Sequence, residues 1–144
     1  NPPKDPLNAG RIDLVLEDYS KISGEETANL FVSFRENLLE ADKYYKLSKK
    51  TYKGDIKYSI VCENRKYYME SFENRKNCVQ SINDSLSSII SLKQKYPGNF
   101  TVLNISEEWI NLYSNINEDF GAEVKYDEDV FNSFCSNQTG NITI

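Results

Sequence analysis

Residues 55–96 read DIKYSIVCENRKYYMESFENRKNCVQSINDSLSSIISLKQKY, with no proline or glycine along the whole stretch. Tyr68, Phe72, Arg75, Val79, Ile82, Leu86, Ile89, Lys93 and Tyr96 recur at alternating spacings of four and three. That is the period of one helix face. Two members of the seam, Arg75 and Lys93, are polar. An unbroken helix over this stretch would run ~63 Å at 1.5 Å per residue, long for one domain, so the reading predicts a kink or break. Glu73–Asn77 and the serine-rich Ser85–Ser88 are the candidate positions.

Upstream, Phe31, Phe34, Leu38, Ala41, Tyr45, Ser48 and Tyr52 keep the same alternation and predict a helix over 25–51. Ser23 followed by Glu26 is a capping-box pattern at its start. Lys53-Gly54 stops it, and Asp55 can cap the next helix. Ile12, Val15, Leu16, Tyr19 and Ile22 predict a short amphipathic helix over 9–21, after an extended lead-in set by Pro2, Pro3 and Pro6.

Downstream, Pro97-Gly98 ends the long segment, and 99–105 reads as a loop. Ser106 can cap a helix carrying Trp109, Tyr113, Ile116 and Phe120, with Gly121 as its stop. Asp127 then opens a last short helix with Val130, Phe131 and Phe134. The expected fold is all-α: a four- to five-helix bundle with one long, kinked helix. It forms a single helical domain over 1–135, followed by a flexible glycosylated tail over 136–144.

The chain has 144 residues, 39% of them hydrophobic and 27% charged, which fits one globular domain with a core. Net charge is −5, which argues against generic nucleic-acid binding. Residues 101–144 hold eight acids and one lysine, so the acidic end is expected to be solvated or to fold back over a basic surface. No apolar run approaches the ~20 residues of a membrane span.

There is no histidine, which removes Ser-His-Asp and Cys-His catalysis and His-ligated zinc. No glycine-rich phosphate loop is present. Asp127-Glu128-Asp129 lacks the glycine and spaced ligands of a calcium loop and reads as helix N-terminal acid. The expectation is a protein without cofactor, metal or catalytic residues.

Five N-glycosylation sequons begin at Asn83, Asn99, Asn104, Asn137 and Asn141, where random placement of 16 Asn among 20 Ser and Thr gives about two. The excess points to a secreted, extracellular protein. Asn83 is the least suited, because it sits on a helix beside the core position Ile82. Cys62, Cys78 and Cys135 make an odd count: one disulfide plus a spare thiol, or a disulfide-linked dimer through the spare. Cys62 and Cys78 on one straight helix would lie ~24 Å apart, far beyond disulfide reach. Cys135 is then the partner of one of them. A chain that continues antiparallel from Pro97 favours Cys62, and one that folds back after Gly121 favours Cys78.

Lys43, Lys46, Lys50, Lys53 and Lys57 repeat at three-four-three-four with Lys49 beside them, a candidate surface for an anionic ligand such as a sulfated glycan. In the pairs Tyr44-Tyr45 and Tyr67-Tyr68 adjacent rings point 100° apart, so one packs inward. Tyr44 and Tyr67 are the candidate protein-binding members.

The Asn-, Lys- and Tyr-rich helical character, the sparse cysteines and the processed-looking start Asn1-Pro2-Pro3 resemble small secreted helical effectors such as the salivary proteins of blood-feeding insects. That resemblance implies binding of host haemostatic or immune molecules. The expected function is that of a secreted helical glycoprotein that binds an extracellular protein. The alternative is an extracellular lipid or small-molecule carrier, with the Phe/Tyr seam enclosing a cavity.

Overall fold

A computed structural model of the chain describes Leu7, Ile12, Leu14, Val15 and Glu17, and then residues 25–51, 60–63 and 65–142. Three long helices carry the fold: α1 (Glu25–Thr51), α2 (Arg65–Lys95) and α3 (Phe100–Ile142). A single helical turn, Ile60–Glu63, precedes α2. Among the described residues there is no strand. Ile12, Leu14, Val15 and Glu17 are helical, and the rest of the helix expected over 9–21 lies outside the described residues. So do Ser23, Lys53, Gly54 and Asp55.

The three-four pattern of α1 is its buried face. Phe31, Phe34, Leu38, Ala41, Tyr45 and Ser48 are all buried. On α2 the inward set is Tyr68, Ser71, Phe72, Arg75, Cys78, Ser81, Ile82, Ser85, Leu86, Ile89 and Leu92. The two helices run antiparallel and form the closest helix pair. Ser85 donates to the Phe34 carbonyl at 2.9 Å, and Ser71 reaches toward the Ser48 carbonyl at 3.5 Å. Small side chains on both faces (Ala41, Ser48, Ser71, Ser81, Ser85) let the backbones approach; the Ser71 and Ser85 hydroxyls reach the opposite backbone, and Ser48 donates to the Tyr45 carbonyl of its own helix at 2.6 Å.

α3 returns antiparallel to α2. It meets α1 through large rings: Phe34 lies 6.4 Å from Trp109 and 6.0 Å from Tyr113, and Tyr45 lies 6.0 Å from Phe120. The order is up-down-up. Leu7 and Val15 belong to the same core.

Among the described residues, the expected four to five helices are corrected to three long ones. The segment read as a loop over 99–105 is part of α3 from Phe100 onward, as are 106–120 and 127–134, read as two short helices. Two local signals misled. Asn99, not Ser106, caps the helix: its Oδ1 accepts the Val102 N–H at 3.1 Å. Ser106 is buried about two turns further in. Gly121 does not stop the helix. A mid-helix glycine costs about 1 kcal/mol against alanine. Phe120, Val124 and Phe131 are buried on either side of it, and each such burial contributes about 1.5–3 kcal/mol. Packing therefore overrides the break. α3, at 43 residues, is the longest helix among the described residues and spans ~64 Å.

Neither candidate position for a kink or break in 55–96 interrupts the helix. α2 is helical without interruption through Glu73–Asn77 and Ser85–Ser88, and Asn64 lies outside the described residues. Of the serine-rich stretch, Ser85 belongs to the seam, as does Ser81 one turn earlier, whereas Ser87 is exposed.

Gly121 supplies a direct test. A Cβ there would meet the Val79 methyls at 3.9 and 4.0 Å, ordinary contact. Gly121→Ala is expected to stabilise the bundle by roughly 0.5–1 kcal/mol through helix propensity alone. Urea unfolding measures it. A loss of stability would show that Gly121 is needed for the helix path.

The core has two parts. The larger runs from Leu92, Val102 and Trp109 to Tyr45, Phe120 and Val124. The smaller holds Tyr68, Phe72, Phe131 and Cys135, with Cys62, Val130 and Phe134 packed against it. Arg75, fully buried, stands beside the smaller cluster and pairs with Asp127 at 2.8 Å. The smaller cluster is tied by a disulfide between Cys62 and Cys135, with Cα atoms 5.5 Å apart. Of the two pairings left open by the sequence, this one follows from α3 continuing past Gly121. Cys78 is a fully buried thiol in the larger core, so an intermolecular bridge through it requires the bundle to open.

Candidate functional site

The face of α1 that points away from the core carries the lysine stripe. Lys43, Lys46, Lys49 and Lys50 are exposed, and Lys53 and Lys57 lie outside the described residues. Three of the four come together. Lys43, Lys46 and Lys50 line an open depression of about 300 Å3 with Leu39, Asp42 and Leu47. Leu39, Lys43, Lys46 and Lys50 share one stripe by helical spacing, and Lys43 to Lys50 covers ~10 Å of the axis. Leu39 is 42% exposed. The site thus pairs ammonium groups with two aliphatic side chains.

Lys49 turns elsewhere, with its Nζ over the Tyr45 ring at 5.2 Å from the centroid. Lys43 sits over the Tyr44 ring at 5.4 Å. Local acids hold two of the lysines: Lys46 pairs with Asp42 at 2.7 Å, and Lys43 with Glu40 at 3.7 Å. Four lysines against these two acids leave a local charge of +2. Both pairs are solvent-exposed on the lysine side, so each is weak and open to exchange for an incoming anion.

The acidic end of the chain does not cover this face. Its described cross-helix ion pairs go to α2: Asp127 to Arg75, Glu128 to Lys76 at 2.6 Å and Glu107 to Lys93 at 3.6 Å. Asp127 is a mid-helix partner of a buried guanidinium, not a helix-opening acid.

The tyrosine pairs divide with Tyr45 and Tyr68 buried. Tyr67 is 44% exposed, whereas Tyr44 is half-buried and packs against the core. Tyr44 lies on α1, and Tyr67 lies near the start of α2. The other exposed large apolar groups among the described residues are Leu14, Met69, Ile90 and Tyr126, and isolated exposed apolar side chains are ordinary for a folded surface.

A second open depression, of about 350 Å3, lies between α2 and α3. Lys76, Lys125, Glu128 and Asp129 rim it, and Val79, Gly121 and Val124 form the rest of its lining. Charged side chains line both depressions, and both open to solvent, unlike the enclosed apolar cavity a carrier needs.

Among the sequons, Asn83, Asn99 and Asn104 are exposed. Asn137 and Asn141 lie outside the residues whose side chains are described. Among the described residues no group of His, Cys, Asp and Glu is arranged to hold a metal ion. None of the described helices is long and apolar enough to cross a membrane.

Sequence reasoning found the lysines but missed Leu39, Asp42 and Leu47. These lie off the apolar seam, and the signal for them is the stripe that Leu39 shares with Lys43. No protein-family model matches this chain, and neither does any curated protein or solved structure.

Proposed function

We propose that the chain is a secreted glycoprotein that acts by binding an extracellular protein, with the lysine-lined face of α1 as its contact surface. The observation that carries this reading is the depression on α1, where Lys43, Lys46 and Lys50 surround Leu39 and Leu47. An acidic protein surface with a protruding apolar side chain complements it in both charge and shape. The disulfide between Cys62 and Cys135 is compatible with an oxidising compartment. The resemblance to salivary effectors puts host haemostatic and immune proteins first among the partners to screen. A sulfated glycan would use the same lysines.

The test is capture from plasma and from cell-surface extracts. The bait is the glycosylated protein, beside a Lys43→Glu/Lys46→Glu/Lys50→Glu variant whose helicity is checked by circular dichroism. The wild type is expected to retain a defined protein that the variant loses. Retention should weaken steeply with salt, since exposed charges are screened within ~8 Å at physiological ionic strength. Equal capture by both baits, or none by either, would remove this face from the reading. Binding to heparin alone would point to the sulfated glycan.

A further inference from the structure

We propose that Asn99 is the residue of the folded bundle that carries an N-linked oligosaccharide, and that Asn83 and Asn104 do not. The inference rests on the reading of the chain as a secreted glycoprotein, and it deepens that reading by placing the sugar. A sequon is recognised through two side chains, the asparagine and the hydroxyl residue two positions on. Both must be reachable. At Asn99 both are: Asn99 and Thr101 are exposed, and the site follows the exposed Pro97-Gly98 turn. At Asn104 the hydroxyl belongs to Ser106, which is 0% exposed. At Asn83 it belongs to Ser85, also 0% exposed and donating to the Phe34 carbonyl across the α1–α2 seam.

The asparagines differ in the same direction. Asn99 uses Oδ1 to cap α3, accepting the Val102 N–H. Its Nδ2 takes no part in that bond. In the transfer, Nδ2 attacks the anomeric carbon of an oligosaccharide carried on a lipid diphosphate. The C–N bond forms, the C–O bond to the diphosphate breaks, the diphosphate leaves with the electron pair, and the Nδ2 proton passes to a base of the transferase. Oδ1 remains an acceptor throughout, so the cap survives. Asn83 also accepts through Oδ1, but from Nδ2 of Asn117 on α3, at 2.6 Å. Asn117 is 8% exposed, so a sugar on Asn83 would sit against the α2–α3 interface. Chains modified there before folding close that interface poorly and are depleted from the secreted population.

The placement also orients the molecule. The Ser85–Phe34 and Ser71–Ser48 contacts set Lys46 level with residue 73 of α2. Twenty-two residues separate that level from Lys95, ~33 Å along the axis. The sugar therefore covers the turn end and leaves the lysine face clear.

The experiment is secretion of the full chain from insect cells, followed by enzymatic deglycosylation in heavy-oxygen water and peptide mapping. The wild type is expected to carry the label at Asn99. Thr101→Ala should lose that glycan while keeping the wild-type circular dichroism, because the cap uses Asn99 and not Thr101. Label at Asn83 or Asn104 at the level of Asn99 would overturn the assignment and leave the secreted reading standing. So would sugar at Asn137 or Asn141 with none at Asn99. A secreted chain bare at all five sequons would overturn the glycoprotein reading itself.

Discussion

Replacing Asp127 with Asn is expected to lower the stability of the bundle by about 3 kcal/mol. The Asp127 carboxylate lies 2.8 Å from Nη1 of Arg75, whose side chain has no solvent exposure. The guanidinium also sits 5.3 Å over the Phe72 ring. The cost is less the lost attraction than the desolvation of the buried cation, which the Asp127 carboxylate helps to offset. For a chain of this length the melting temperature should fall by about 10 °C. The neighbouring pair is the control. Lys76 and Glu128 are 2.6 Å apart, but the Lys76 side chain is 49% exposed. Glu128→Gln should cost under about 1 kcal/mol. Arg75→Met combined with Asp127→Leu should recover most of the loss, because apolar replacement removes both charges together. Thermal unfolding followed at 222 nm measures all three. Equal shifts for Asp127→Asn and Glu128→Gln would show that burial does not set the difference.

Cys62→Ser with Cys135→Ser should have a comparable effect. The bond spans 73 positions of the sequence. Loop-closure entropy for that span gives about 4 kcal/mol, an upper figure in practice. The loss should be local in kind. The bond closes the smaller cluster of Tyr68, Phe72 and Phe131, and Arg75 stands between that cluster and the core around Trp109. Hydrogen exchange is expected to speed up over 65–72 and 128–135 and to stay slow over 82–92 and 105–117. A uniform loss of protection would mean that the two clusters open as one unit.

Much of this fold was legible because apolar spacing reports burial directly. The seam of α1, from Phe31 to Ser48, is the buried face of a helix with the expected bounds, 25–51. α3 was legible only in pieces. Gly121 and the Pro97–Ser106 region carry local break signals, whereas the forces that join the pieces come from α1 and α2, remote in sequence. Arg75 read as a polar flaw in an apolar stripe. Its explanation, Asp127, lies 52 residues away, and no local pattern connects them. The lysine stripe was visible, but Leu39 and Leu47 acquire meaning only from the surface shape around them.

The placement of the three thiols also governs how the protein reaches its oxidised state. In the unfolded chain Cys62 is 16 positions from Cys78 and 73 from Cys135. Random closure favours the shorter loop by (3/2)RT ln(73/16), about 1.3 kcal/mol or tenfold. Oxidation before collapse therefore yields mainly the wrong ring. Once α2 forms and draws Cys78 into the larger core, that thiol is withdrawn from exchange, and Cys62 is left to meet the end of α3. Helix formation relaxes in microseconds and thiol exchange in seconds or longer, so the fast process edits the slow one. In this bundle, coil-to-helix kinetics act as the proofreading step for covalent connectivity.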